Sequence, residues 1–405
     1  MAAASRRSKI GLALAGGGPV GGIYEVGAMA ALAEALDGLD FTKFDIYVGV
    51  SSGGFIAAAL ANGLGPATLA RMLVENETDE VFDPEMLLRP AFGEYLKRAL
   101  SVPPLLWSSF RHYLSDPWNL GVFEAFQRLS HAIPAGVFDN AGIDELLSKL
   151  FSTAGRSNDF RQLKHKLFLV ATDLDSGESV AFGRAGYDDV PISVAVQASA
   201  ALPGLFPPVK IGGQYFVDGA LIKTLHASVA LREGAELVIC INPLVPFDSV
   251  LAAKRPQHEH PTRKQEHLVD GGLPVVLSQT FRAIIHSRMR AGMDRYKLEF
   301  AGADVLLFEP TRDDADMFFT NVFSYRSRSR LCEHAYQRTR TDLYRRRHEL
   351  APILARHGIH LNVSVLKDHR RTLLPYQRQS DLVAAAGALD VALHDLERWL
   401  QARQA

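Results

Sequence analysis

Residues 45–60 read DIYVGVSSGGFIAAAL. The stretch passes from apolar residues suited to a buried strand, through paired serines and glycines, into alanine-rich sequence suited to a helix. It therefore predicts a strand, a tight turn and a helix. Within the turn, Gly49-Val50-Ser51-Ser52-Gly53 match G-x-S-x-G, the pattern of a nucleophile on a sharp strand-to-helix elbow. Such a turn leaves room only for glycine two positions either side of the nucleophile. Ser51 has Gly49 and Gly53 in those places, whereas Ser52 has Val50 on one side, so the spacing selects Ser51. The helix starting near Gly53 adds the positive field of its N-terminus, which favours developing negative charge.

The same alternation extends outward over residues 10 to about 240. KIGLALA, DIYVGV, LFLVATDL, SVAFG and ELVICIN are candidate strands, and amphipathic segments such as IYEVGAMAALAEAL lie between them. The pattern predicts an α/β domain, a sheet with helices on both faces, over residues 1–250. Residues 82–138 mix prolines with Trp107, Trp118 and other aromatics; they read as an inserted cap or lid, or as ordinary core helices with inward aromatics. Residues 251–272 form a polar loop carrying His258, His260 and His267, with no acidic helix motif or cysteine to frame a metal, so a solvated loop is expected. Residues 273–405 read as a mostly helical C-terminal region.

The first strand runs into a second glycine cluster, LALAGGGPVGGIYEVG, with Gly16, Gly17, Gly18, Gly21 and Gly22 between strand and helix. Glycines there let backbone N–H groups converge near a helix N-terminus, which makes an anion site. Residues 16–21 satisfy the loose G-x-G-x-x-G of dinucleotide sites. The next strand, however, ends in GVSSGG rather than in the acidic residue such a site needs. A Walker A phosphate loop is excluded because no Gly-Lys-Ser/Thr follows.

A serine hydroxyl needs a base beside it. Downstream, GGQYFVDGALIKTLHASVAL places Asp218 after an apolar strand in an Asp-Gly turn, preceded by VQASAALPGLFPPVKIGGQYF. Taken in order, AGGGPVGG, GVSSG, LVATDLDSGE, ASAALPGLFPPV and DGAL resemble the patatin-like phospholipases, serine acyl hydrolases with a Ser-Asp dyad, over roughly residues 8–245. The resemblance implies a three-layer α/β/α core with a mainly parallel sheet. It implies Ser51 as nucleophile, Asp218 as general base and the backbone amides of Gly16, Gly17 and Gly18 as oxyanion hole. The substrate class it implies is acyl-ester lipids of the phospholipase A or lysophospholipase type, and the acyl-transfer steps call for no metal or organic cofactor.

Two positions depart from the family pattern. Val20 stands where the glycine loop usually carries Arg or Lys, and Thr224 and His226 stand where Asn and then Pro often follow the Asp-Gly turn. His226 opens the alternative of a Ser-Asp-His triad in an esterase or thioesterase. Val20 opens that of a non-catalytic lipid-binding protein.

Composition narrows the partners. The 405 residues, 47% hydrophobic, suffice for a full core, and Lys+Arg 44 against Asp+Glu 45 gives no reason to expect nucleic acid. Cys240 and Cys332 lie far apart, in no metal-ligand spacing, and suit a reducing compartment. MAAASRRSKIGLALAGGG resembles a signal peptide only superficially, since its short apolar run enters the glycine cluster. The expected location is cytoplasmic, soluble or peripheral to a membrane. Arg282, Arg288, Arg290 and Arg295, with Arg326, Arg328, Arg330, Arg345, Arg346 and Arg347, read as solvated helix faces paired with acids, or as a surface for anionic lipid.

Overall fold

The computed structural model describes residues 7–75, 135–253, 267–320, 325–368 and 370–373. The cap or lid expected at 82–138 falls almost wholly outside them, as do His258 and His260. Residues 1–367 form one compact unit.

An eight-stranded sheet organises that unit. Its strands are β1 (Ile10–Leu14), β3 (Ile46–Gly49), β4 (Lys166–Asp173), β5 (Ser179–Phe182), β6 (Val209–Ile211), β7 (Gln214–Asp218), β8 (Leu237–Ile241) and β9 (Asp304–Phe308). The order is β6-β7-β4-β3-β1-β8-β9, with β5 also on β4. β4, β3, β1, β8 and β9 run parallel, while β5, β6 and β7 join antiparallel. β2 (Leu36–Asp37) pairs apart from the sheet with β10 (His360–Leu361). Every residue of β1 and β8 is buried, which is why both read as unbroken apolar runs rather than alternating ones.

From β1 the chain moves one way along the sheet to β3 and β4, then returns past β1 to β8 and β9. Right-handed crossovers in opposite directions lay helices on opposite faces and open a crevice at the carboxyl ends of the strands near the switch. The packing agrees with this topology. Ala13, Val48, Val50, Phe168, Val170, Val238 and Cys240 face one layer with α6 (Ala227–Arg232) and with Met289 and Tyr296 of α8 (Gly272–Glu299). On the other face α2 (Ser52–Ala61) brings Gly54 against the Leu169 side chain.

The C-terminal helices are built into this body. α10 (Tyr325–Arg356) crosses α1 (Gly18–Ala35) so closely at Gly27 that a Cβ there would stand 2.3 Å from the Cys332 carbonyl oxygen. Arg340 pairs with Glu34 at 3.0 Å, and the Tyr336 hydroxyl donates to the same carboxylate. Several of the arginines grouped in the sequence are turned to the protein itself. Arg282 and Arg328 are buried and donate to the carbonyls of Val245 and Leu73, while Arg345 and Arg346 pair with Asp342.

Candidate active site

Ser51 caps the N-terminus of α2 at the carboxyl end of β3, with φ 54° and ψ −124°. It is the only non-glycine among the described residues with positive φ, a conformation that costs an L-residue about 1–3 kcal/mol. The surroundings impose it. A Cβ on Gly49 would lie 2.5 Å from the Gly53 carbonyl oxygen, and one on Gly53 would lie 2.4 Å from that of Ala15. Neither position accepts a side chain while the turn keeps this shape. The turn is tied to its neighbours: Val50 N–H donates to Leu14 O, and Gly54 and Phe55 N–H donate to Ser51 O.

Register brings Asp218 to the serine. Gly49 stands opposite Leu169 on β4, and two residues further along that strand Ala171 stands opposite Asp218, the last residue of β7. The Asp218 carboxyl accepts from Ala220 N–H at 2.8 Å, and the Ser51 hydroxyl lies close enough to stabilise its charged form. Asp218 is buried, and burial pushes its carboxyl up from the ordinary 3.8 to about 6; the Ala220 N–H and the nearby Ser51 hydroxyl offset part of the rise.

The glycine cluster after β1 completes the neighbourhood. A Cβ on Gly16 would meet the Ser51 Cβ at 3.1 Å and the Ala220 Cβ at 3.3 Å, so this backbone lies against both the serine and the aspartate turn. Gly17 is the N-cap of α1, packed under Pro243, and Gly18, at φ +60°, begins the helix with open space beside it. N–H groups in a first helical turn have no intrahelical acceptor. Val20 is half-buried in that turn.

His226 is brought near the aspartate turn without joining the pair. It is the buried N-cap of α6, its Nε2 has no hydrogen-bond partner, and burial together with Lys223 pushes it down to about 4. No hydrogen bond joins it to Ser51 or Asp218 in this arrangement.

Sequence reasoning missed two residues here. Ser199, at the end of α5 (Ile192–Ser199), accepts the Ser51 N–H at 2.9 Å and donates to Val170 O at 2.6 Å, bracing the elbow against β4. Its segment ASAALPG stands out in the sequence, but a helical serine shows nothing of its role until the elbow reaches it. Glu25, one turn beyond Gly21–Gly22 in α1, is fully buried with no hydrogen-bond partner on either carboxyl oxygen, and burial raises it well above the usual carboxylate range.

Other clusters lie elsewhere. Asp314, Asp316 and His334 are close enough to share an ion, but Asp314 already accepts from Met317 N–H and pairs with His334 Nε2 at 2.8 Å. A cleft of about 320 Å³ lined by Phe160, His165, Lys166 and Arg184 sits at the amino end of β4, away from Ser51.

The chain belongs to the patatin-like phospholipase family, whose model matches residues 12–231. An uncharacterized NTE family protein of Mycobacterium tuberculosis is 31% identical over 113 residues, 28% of this chain and 18% of the relative. The chain thus matches less than a fifth of that relative's length. A cGAMP-activated phospholipase of Pseudomonas aeruginosa is 24% identical over 228 residues, 55% of each protein. Among solved structures, VipD from Legionella pneumophila is 15% identical, with a TM-score of 0.36 over 83% of this chain and 66% of its own. The type III effector ExoU is also 15% identical, with a TM-score of 0.34 over 84% of this chain and 53% of that one. Among the described residues no helix is long and apolar enough to cross a membrane.

Proposed function

We propose that the protein hydrolyses fatty-acyl esters of glycerolipids, as a phospholipase A or lysophospholipase, through an acyl-enzyme on Ser51. The observation that carries the reading is Ser51, at a strained elbow, beside a buried carboxyl whose affinity for protons is raised toward neutrality. Ser51 Oγ attacks the acyl carbon while its proton passes to the Asp218 carboxylate. The tetrahedral oxyanion is held by backbone N–H groups of Gly16, Gly17 and Gly18 with the field of α2 behind it. Collapse breaks the acyl C–O bond, and the leaving alcohol takes the proton from Asp218. Water then attacks the acyl-serine, gives its proton to Asp218, and releases the fatty acid as the proton returns to Ser51. No step requires a group beyond these residues and water.

The positive ends of α1 and α2 together stand in for the basic residue that Val20 replaces. Mixed phospholipid vesicles incubated with the wild type should release fatty acid, and Ser51→Ala should lose at least about a thousandfold in rate. Release that persists in Ser51→Ala removes the reading.

A further inference from the structure

In its amino-terminal half α8 buries polar side chains and leaves apolar ones exposed. The seam turned inward includes Gln279, Arg282 and His286 beside Met289 and Tyr296, while Leu273, Val276, Leu277, Phe281 and Ile284 face outward. Leu273 is 69% exposed, Phe281 47% and Ile284 51%, at helical spacings of three, four and eight that make one continuous stripe. Val269 just before the helix and Val250 and Leu251 in α7 (Ser249–Ala253) are exposed as well. Scattered surface leucines mean little, but a stripe of this length opposite a polar inward face marks a surface that meets something apolar.

The helix is also cationic and stands beside the candidate site. Residues 272–293 contain no Asp or Glu, and Arg288 continues the stripe one turn beyond Ile284, with Arg290 exposed at its flank. Arg288 donates to Leu221 O at 3.2 Å, three residues after Asp218. Gln279 holds both the N–H and the carbonyl of Phe247, a few residues past Pro243, which packs on Gly17 and Gly21. α8 therefore adjoins the carboxyl end of the sheet, where Ser51 lies. A second protein would account for the apolar face; an acid-free, arginine-edged apolar face adjoining a lipid-hydrolase site is what an anionic bilayer surface complements.

We propose that the outward face of α8 is a membrane-docking surface that lies in the headgroup region of a bilayer containing anionic lipid and presents the Ser51 site to it. The inference rests on the lipid-hydrolase reading above. The test is flotation of the full chain with phosphatidylcholine vesicles, with and without phosphatidylglycerol, beside turnover of those vesicles and of a monomeric short-chain ester. Wild type should float, more strongly with the anionic lipid. Phe281→Ser/Ile284→Ser, checked by circular dichroism, should lose at least about tenfold in binding and in the ratio of vesicle to soluble-ester turnover. Should that variant misfold, Leu273→Ser/Leu277→Ser one turn away makes the same comparison. Unchanged vesicle binding overturns the proposal, as does a wild type that never floats. A wild-type dimer that the variant converts to monomer, with vesicle binding retained, overturns it in favour of a second copy on this face. Loss of binding in the variant with no turnover of either substrate by wild type upholds the docking surface and removes the catalytic reading instead.

Discussion

Ser51 and Asp218 are each held in a state that costs stability, and both costs can be measured. At Ser51 the cost is backbone strain, with φ 54° at a residue that has a Cβ. Ser51→Ala removes the hydroxyl and keeps the strain, whereas Ser51→Gly removes both. The glycine variant should be more stable than the alanine one by about 1–2 kcal/mol in urea denaturation, with both inactive. Equal stabilities would mean the elbow relaxes once the hydroxyl is gone. At Asp218 the cost is burial of a carboxylate. Its folded value of about 6 lies above the ordinary 3.8, so below pH 4 the group is protonated in both states and its contribution is intact. As pH rises, the unfolded chain ionises first, and stability is lost until the pH passes about 6. Asp218→Asn escapes that loss, and should be more stable than wild type by roughly 2–3 kcal/mol above pH 7, with the advantage vanishing near pH 4. Wild-type kcat/KM should rise with pH through about 6 and then level, since only the carboxylate accepts the Ser51 proton. A flat profile from pH 5 to 8 would take the role of base away from Asp218.

Among elements, the tightest fit is that of α10 on α1. Gly27→Ala improves helix propensity by about 1 kcal/mol, yet its methyl would lie 2.3 Å from the Cys332 carbonyl oxygen and 2.9 Å from the Ala335 Cβ. Backbone does not yield as a side chain does, so a net loss of about 2 kcal/mol is expected in urea unfolding. Gly292→Ala in α8 is the control: its nearest atom is the Tyr296 hydroxyl oxygen at 3.9 Å, and only the propensity gain should appear. The contrast shows what sequence conveys at this scale. KIGLALA, DIYVGV, LFLVATDL, SVAFG and ELVICIN all became strands, the central ones legible because a strand buried on both faces must be apolar throughout and such runs stand out. Ser51 stood out because an elbow leaves a local signature, whereas Asp218, in an Asp-Gly turn that by itself is ordinary, was picked out only by the family resemblance of the segment it ends. Ser199 reaches the Ser51 N–H from 148 residues away, and nothing local records such a contact. The outward stripe of α8 was equally silent, since periodicity reveals that a helix has two faces and not which one the core takes. Gly27, unremarkable in an alanine-rich helix, became critical only when α10 arrived.

At the scale of the molecule, the question is whether residues 1–250 fold without the rest of the chain. Composition changes after Pro246, and the motifs of the site all precede it. The packing argues for a larger unit. β9 pairs with β8 along the whole of Leu237–Ile241, Met289 and Tyr296 of α8 lie in the core cluster under the sheet, and α10 covers α1. A chain ending at 250 would turn β8, all five of whose residues are buried, into a bare hydrophobic edge and strip the cover from the helix that begins with the glycine loop. Such a chain should aggregate or unfold without a cooperative transition. A chain ending at 373 keeps the whole compact unit of residues 1–367, and should unfold in one urea transition while still hydrolysing lipid. The two truncations separate two pictures of the C-terminal helices. Cooperative unfolding of the 1–250 chain, with Ser51 still reactive toward a fluorophosphonate, would make them an appendage to a self-sufficient hydrolase. Its collapse beside a stable, active 1–373 chain would make them part of the body that holds the glycine loop against Ser51.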